Sequence, residues 1–475
     1  MRRLLLLSLA ALSSCEIGPE FRAPTMPAPV AYKEAPKPAP GWRQASPEAG
    51  LPKGDWWKLY NDPDLNKLEP LVAVSNQTLA ADYDAYEQSV AIVDETRGEL
   101  FPTIGITGSA TRSGEAGAGG GTGGAGIGGP RTSGTFEGSA DWTPDIWGKI
   151  RRQVEANKAA AEVSAADLAN ATLSEQATLA ADYIDLRGSD SLILLLQQTV
   201  TAYQRSLQIT QNQANAGVAT PLDVITAQTQ LEGAQASLVN AGEARAQYEH
   251  AIAVLIGHAP ADFSLPPGAL MPDVPEIPAG VPSTLLQRRP DIAAAEQTVA
   301  EENALIGVAI GAFYPDLTLS ALGGFSADPV GGLFSASNAL WSLGASAAGT
   351  IFEGGTRAAA VQAAKFGYDE AVANYRQTVL SAFQQVEDNL SDLRILAQQA
   401  ALEQAAVADS TQAVQISLNE YQAGTQAYTT VVTAQATQLA NEQTALSVQE
   451  NRLLASVALI QALGGGWQSG DLPNP

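Results

Sequence analysis

The chain repeats itself once, and that duplication constrains its fold more than any other feature. Phe101-Pro102 recurs as Tyr314-Pro315, 213 positions on. Val224-Ile225-Thr226-Ala227-Gln228 recurs as Val431-Val432-Thr433-Ala434-Gln435, 207 positions on; Gly217 recurs as Gly424, and Ile256-Gly257 as Leu463-Gly464, at that same separation. A period of about two hundred residues is too long for a solenoid repeat, so each copy is a substantial unit with its own element order. The change of offset falls in the strand region, where the first copy has the longer loop.

Each copy runs from a helix directly into a strand. Arg289-Pro290-Asp291 opens a helix, with Pro tolerated at its first position and an acid suited to its dipole. Tyr314-Pro315 stops that helix, since Pro removes a donor and biases the residue before it to extended geometry. Leu317, Leu319, Ala321, Gly323 and Phe325 then share one face of a strand. The spacing predicts strands at 103–112, 135–142, 316–325 and 339–350. The helices after the strand pairs, Arg151–Ala216 and Arg357–Ala423, contain no Pro, and at ~1.5 Å per residue each reaches roughly 100 Å. Val372, Tyr375, Val379, Phe383, Val386, Leu390 and Leu393 recur at threes and fours, a coiled-coil-like seam. Shorter helices, Pro221–Ile256 and Thr429–Leu463, return. One helix is expected from Leu65 to Phe101, so that two short helices laid end to end match one long one.

The rest of the chain is punctuation around these units. Residues 1–14 read as a secretory signal, with Arg2 and Arg3 ahead of an apolar run too short to span a bilayer. Leu12-Ser13-Ser14-Cys15 resembles a lipobox, so Cys15, the only cysteine, is expected to carry lipid. Residues 15–54 form a Pro- and Ala-rich extended linker, 55–257 the first copy, 258–288 a Pro-rich connection, 289–464 the second copy, and 465–475 a tail. Trp56-Trp57 reads as a packing anchor. Gly114–Gly134 is dense in Gly but lacks the Lys-Ser or Lys-Thr and the helix start of a phosphate loop, so it reads as solvated loop.

Composition excludes several classes. The net charge of −24 argues against nucleic acid, which needs clustered Lys and Arg. One Cys and two His supply no multi-cysteine metal site, and the surroundings of His250 and His258 form no nucleophile–base set, so the chain does not read as an enzyme and no cofactor is expected beyond the lipid. No run after the signal is long enough for a membrane helix. Four strands of alternating small or apolar residues do fit membrane β-strands, yet four cannot close a barrel and an open edge cannot face lipid. If they span a membrane, the chain must oligomerise.

The pattern RPDI…AE…A.IG…A.FYP.L.L from Arg289 to Leu319, the duplicated units and the start Cys15-Glu16-Ile17-Gly18-Pro19 resemble the outer-membrane factor family of TolC-like efflux channels, in its OprM- and NodT-like lipoprotein branch. The resemblance covers nearly the whole mature chain. It implies a mostly α fold with a small transmembrane β portion: a homotrimer whose twelve strands close a barrel continuous with a long periplasmic helical barrel. It also implies a Gram-negative outer-membrane location, a passive exit duct for small molecules, and partnership with a periplasmic adaptor and an inner-membrane pump. A type I protein-secretion duct has the same architecture, and a lipid-anchored periplasmic coiled-coil scaffold is the rival from another class.

By the same resemblance the two helix turns far from the strands form the periplasmic tip. Gly217, Val218, Thr220, Gly424, Thr425 and Gln426 would meet the adaptor. Tyr421, Tyr428, Thr429, Thr430, Thr433 and Asp223 would form the constriction. The family commonly places acids just after the second turn; here Thr430 and Thr433 stand there, leaving Asp223 nearby. Closure is therefore expected to rest on packing and hydrogen bonds of Tyr421, Tyr428, Thr429 and Thr433.

Overall fold

The computed structural model describes residues 17–35, 54–114, 130–278, 280 and 282–473. The signal segment, Cys15 and the glycine-dense run 115–129 lie outside the described residues. Seven helices and four strands carry the architecture: α1 (Leu65–Ser75), α2 (Gln77–Gly98), β1 (Thr103–Ser113), β2 (Arg131–Trp142), α3 (Lys149–Asn215), α4 (Pro221–Leu255), α5 (Pro290–Gly311), β3 (Asp316–Ala327), β4 (Ala339–Ala348), α6 (Thr356–Gln422) and α7 (Tyr428–Ala462). α3 and α6 each have 67 residues, about 100 Å of helix.

The expected helix from Leu65 to Phe101 is broken. Asn76 takes an extended backbone and its side chain accepts from the Thr78 and Leu79 amides, so it ends α1 and caps α2. An asparagine with a free side-chain oxygen competes with the helix for these donors. The break is locked from outside: Asn76 Nδ2 donates to Leu255 O at 3.1 Å and to Glu175 Oε2 at 3.2 Å. Gly257 (φ 71°) lies so close that a Cβ there would meet Ser75 O at 2.2 Å. β2 begins at Arg131, four residues before the expected Thr135, because the pairing with β1 continues from Ser109↔Thr135 out to Ser113↔Arg131.

The strands form one antiparallel sheet in the order β1-β2-β3-β4, with β1 and β4 as edges. The register places Ile104 opposite Ala140, Ala140 opposite Ala321, and Ala321 opposite Leu343. Directly paired residues share a face, and so do residues two apart. Ile104, Ile106, Phe136, Trp142, Leu319, Phe325, Trp341 and Leu343 therefore all lie on one side, and Thr107, Ser109, Thr135, Glu137, Asp141, Ser320 and Ser342 on the other. The apolar side is open: Ile104, Ile106, Trp341 and Leu343 are each at least 75% exposed.

The helices form a layer below the sheet. α3 packs against α2 and α4, and also against α5 and α7; α6 packs against α5 and α7. Two short helices thus lie along each long one. The larger core gathers Trp56, Trp57, Tyr60, Leu65, Leu179, Tyr183, Ile184, Ile252, Leu453 and Ile460. The Pro-rich connection is strapped over it. Leu270 N donates to Ser191 Oγ at 2.9 Å, and Gln449 Nε2 donates to the Met271 and Pro272 carbonyls. Arg289, read from sequence only as a helix opener, pairs with Asp291 at 2.6 Å and donates to Gln385 on α6 and to Ala462 O at the end of α7.

Candidate functional site

The end of the molecule farthest from the sheet is built by two matched turns. α3 ends at Asn215 and α6 at Gln422; Gly217 (φ 77°) and Gly424 (φ 73°) follow in the left-handed region that glycine tolerates. The Val218 amide donates back to Gln213 O at 2.8 Å, and the Thr425 amide to Glu420 O at 3.0 Å. This helix-ending pattern satisfies carbonyls that would otherwise be orphaned. Val218, Leu222 and Ile225 are exposed at more than 60%, an apolar skin at the tip of the first copy. In the second copy the same turn presents Thr425 and Gln426, both exposed.

The residues expected at the constriction separate into three kinds. Tyr421 and Tyr428 are buried, at 6% and 2% exposure, with ring centroids 5.1 Å apart. They share a cluster with Tyr203 and Leu207 of α3, Ala227 and Leu231 of α4, and Val431. Burial pushes the Tyr428 phenol up to about 12 and raises that of Tyr421, so both rings stay neutral over any physiological range. Thr429, Thr430 and Thr433 are exposed, and the Thr433 hydroxyl donates to Thr429 O at 2.9 Å within its own helix. Asp223 is a capping residue: its carboxylate accepts from the Thr220 amide and hydroxyl at 2.9 and 2.8 Å, and its own amide donates to Thr220 Oγ1. Such a capping box satisfies two orphan donors and contributes about 1 kcal/mol.

Sequence reasoning missed the polar bridge between the copies. Gln435 Nε2 donates to Ser206 Oγ at 2.8 Å, the Tyr203 hydroxyl donates to Gln435 O at 3.4 Å, and Gln213 Nε2 donates to Tyr421 O at 3.1 Å. These bonds tie α3 of the first copy to α6 and α7 of the second. The repeated segment contained a signal. Gln228 is the counterpart of Gln435, yet it is exposed and bonds Glu232 on its own helix. Among the described residues, Gln228 has no such partner on another helix.

Two stretches, residues 71–258 and 281–465, match the family model described as outer membrane efflux protein. The chain belongs to this family. Its match falls on the two sequence copies in turn. Among curated relatives, the antibiotic efflux pump outer membrane protein ArpC of Pseudomonas putida is 30% identical over 470 residues, 97% of this chain and 96% of that one. Among solved structures, the outer-membrane channel OprN superposes with a TM-score of 0.85 at 28% identity, covering 96% of this chain and 100% of that one. The CmeC outer membrane channel of Campylobacter jejuni superposes with a TM-score of 0.88 at 22% identity, with 96% of each chain covered. The fold is that of the outer membrane efflux channels.

This outer membrane efflux protein has two unlike ends. The sheet has one largely apolar and one largely polar face. The far end holds the packed tyrosines and exposed turns. Among the described residues no helix is long and apolar enough to cross a membrane, and no group of His, Cys, Asp and Glu could hold a metal ion.

Proposed function

We propose that this protein is the outer-membrane exit duct of a tripartite efflux system for small molecules in a Gram-negative cell. The single observation that carries this reading is the sheet: Ile104, Ile106, Phe136, Trp142, Leu319, Phe325, Trp341 and Leu343 share one face, the other carries only Leu322 and Leu340 among its polar and small residues, and among the described residues neither edge strand has an outer partner. Such a sheet suits lipid on one face and water on the other, and only closure with further copies satisfies its edges. The helices support the same closure. α6 leaves Phe366, Leu380, Ile395 and Leu402 uncovered, each half-exposed or more, while α4 leaves Ile225 and Val239 uncovered. A ring of three chains, with twelve strands above and paired helices below, would cover both faces.

In this reading the duct is passive. Solute would enter at the helix turns, traverse the helical tube and leave between the strands, with energy supplied by an inner-membrane pump through a periplasmic adaptor. Gly217, Val218, Thr220, Gly424, Thr425 and Gln426 would meet the adaptor. The Tyr421–Tyr428 cluster would hold the tip closed by packing, while Thr429, Thr430 and Thr433 would face solvent there. Asp223 acts through its cap on α4.

Lipidation of Cys15 fits the course of the chain that follows. Ile17 O accepts from Arg152 Nε at 2.9 Å near the start of α3, and Gly18 lies against Gly307, both close to the sheet. From there the segment descends: Pro19 O accepts from Asn303, and the Lys33 and Glu34 amides donate to the Glu387 carboxylate. A lipid two residues ahead of Ile17 would meet the inner leaflet.

Deleting the gene in its host and measuring susceptibility to amphipathic antibiotics and solvents tests this function. Several-fold sensitisation, reversed by the intact gene, is expected. Unchanged susceptibility together with loss of a secreted protein would favour the protein-secretion duct instead.

A further inference from the structure

The two copies meet along α3 and α7 at a second place, far from the tip. Glu450 of α7 sits directly over Gly188 of α3; a Cβ on Gly188 would lie 2.6 Å from Glu450 Oε1. In this seat the Glu450 carboxyl hydrogen-bonds the carboxyl of Asp185, one turn earlier on α3. Two carboxyls in contact can share a hydrogen bond only if one carries a proton. Their charges are felt in turn by Asp182 of α3 and by Tyr248 of α4, both of which they raise. The cations on the neighbouring turns are directed elsewhere: Arg187 to Asp64 and Asp190, Arg245 to Asp190 and Glu249, and Arg452 to Gln449.

We propose that the Asp185–Glu450 contact is a proton-operated latch between the two copies: protonated, it holds α7 on α3, and deprotonated, it lets the tip half of α7 loosen. Burial, then Asp185, raises Glu450 to about 7; burial raises Asp185; burial, then Asp185, raises Asp182 to about 6. Groups whose folded-state affinity for protons is raised contribute most at low pH. Their contribution is complete below the ordinary carboxylate value near 4.5 and declines as pH rises through about 7. Above that, two like charges face each other across a half-buried contact. α7 is a continuous helix from Tyr428, so a change at Glu450 lies about 33 Å, 22 residues of helix, from the tyrosine cluster. The latch concerns contact between copies and stands whether or not the tip is the constriction.

The test is hydrogen exchange of the full-length protein in detergent, with protection corrected for intrinsic rates, at pH 6 and pH 8. In the wild type, protection of the 428–447 amides is expected to fall about tenfold between the two pH values, well inside what a shift of over two pKa units allows. In Glu450→Gln the amide donates to Asp185 at either pH, so the fall should vanish and protection at pH 8 should match the wild type at pH 6. Asp185→Asn should behave likewise, which guards against one variant failing to fold. Gly188→Ala displaces the carboxyl and should leave low protection at both pH values. Glu296→Gln, a half-buried acid of α5 raised by burial alone, should keep the wild-type response. A wild type with no pH response in this segment, or a Glu450→Gln variant that keeps it, would overturn the latch.

Discussion

Arg187→Ala is expected to cost about 3–5 kcal/mol and to unfold the middle of the helical layer at lower temperature than the wild type, because it removes the buried cation shared by Asp64 and Asp190 and leaves the Pro266 carbonyl without its donor. Arg187 is a four-way hub with a side chain only 4% exposed. Its Nε donates to the Tyr183 hydroxyl at 3.0 Å, Nη1 to Asp190 Oδ2 at 3.2 Å and to Pro266 O at 2.7 Å, and Nη2 to Asp64 Oδ2 at 3.2 Å. Asp190 also accepts from Arg245 at 2.6 Å and from the Gly268 amide at 3.0 Å. One side chain therefore joins α3 to the turn before α1 and to the Pro-rich connection, and through Asp190 to α4. Arg187→Lys should recover only part of the loss, since an ammonium cannot reproduce the planar fork. Thermal unfolding of the detergent-purified protein reads the effect. A loss below about 1 kcal/mol, the range of an exposed ion pair, would show that the hub is not buried in the assembled protein.

Tyr428→Ala is expected to open the tip. The ring is almost fully buried between α3, α4 and α6, and removing a buried aromatic side chain costs about 3–5 kcal/mol through lost transfer energy and the cavity left behind. Here the loss falls where α3 and α6 end and α4 and α7 begin, and among the described residues no further core lies beyond it. Single-channel conductance in planar bilayers should rise. Tyr428→Phe should keep the packing and the wild-type conductance. Thr430→Ala and Thr433→Ala, on exposed positions, should change stability by less than about 0.5 kcal/mol. Conductance unaffected by Tyr428→Ala would remove the tyrosine cluster from the closing device.

Elements governed by local rules were legible in the sequence. Pro102 and Pro315 announced where helices give way to strands, Gly217 and Gly424 announced the turns, and the absence of Pro announced two very long helices. The strand faces followed from alternation, and the register then aligned them into one apolar surface. What stayed hidden depended on contacts far apart in sequence. Asn76 breaks a helix that reads as continuous because its side chain is held by α3 and the end of α4. The 258–288 segment reads as a linker by composition, yet its carbonyls and amides are taken up by Arg187, Arg245, Ser191 and Gln449. At the tip, sequence grouped Tyr421, Tyr428, Thr429, Thr430, Thr433 and Asp223 by position along the chain. Three-dimensional packing sorts them by helix face, with tyrosines inward, threonines outward and the aspartate turned back onto its own cap.

The central claim is that four strands per chain become a membrane barrel only by sharing edges between chains. The most direct measurement is the molar mass of the protein purified from outer membranes, corrected for bound detergent. A mass of three mature chains, each below the 49.3 kDa of the full sequence, is the predicted result, because closure alone removes the lipid-facing edges of β1 and β4. A stable monomer in the membrane-extracted state would contradict it and would leave the lipid-anchored scaffold as the better account.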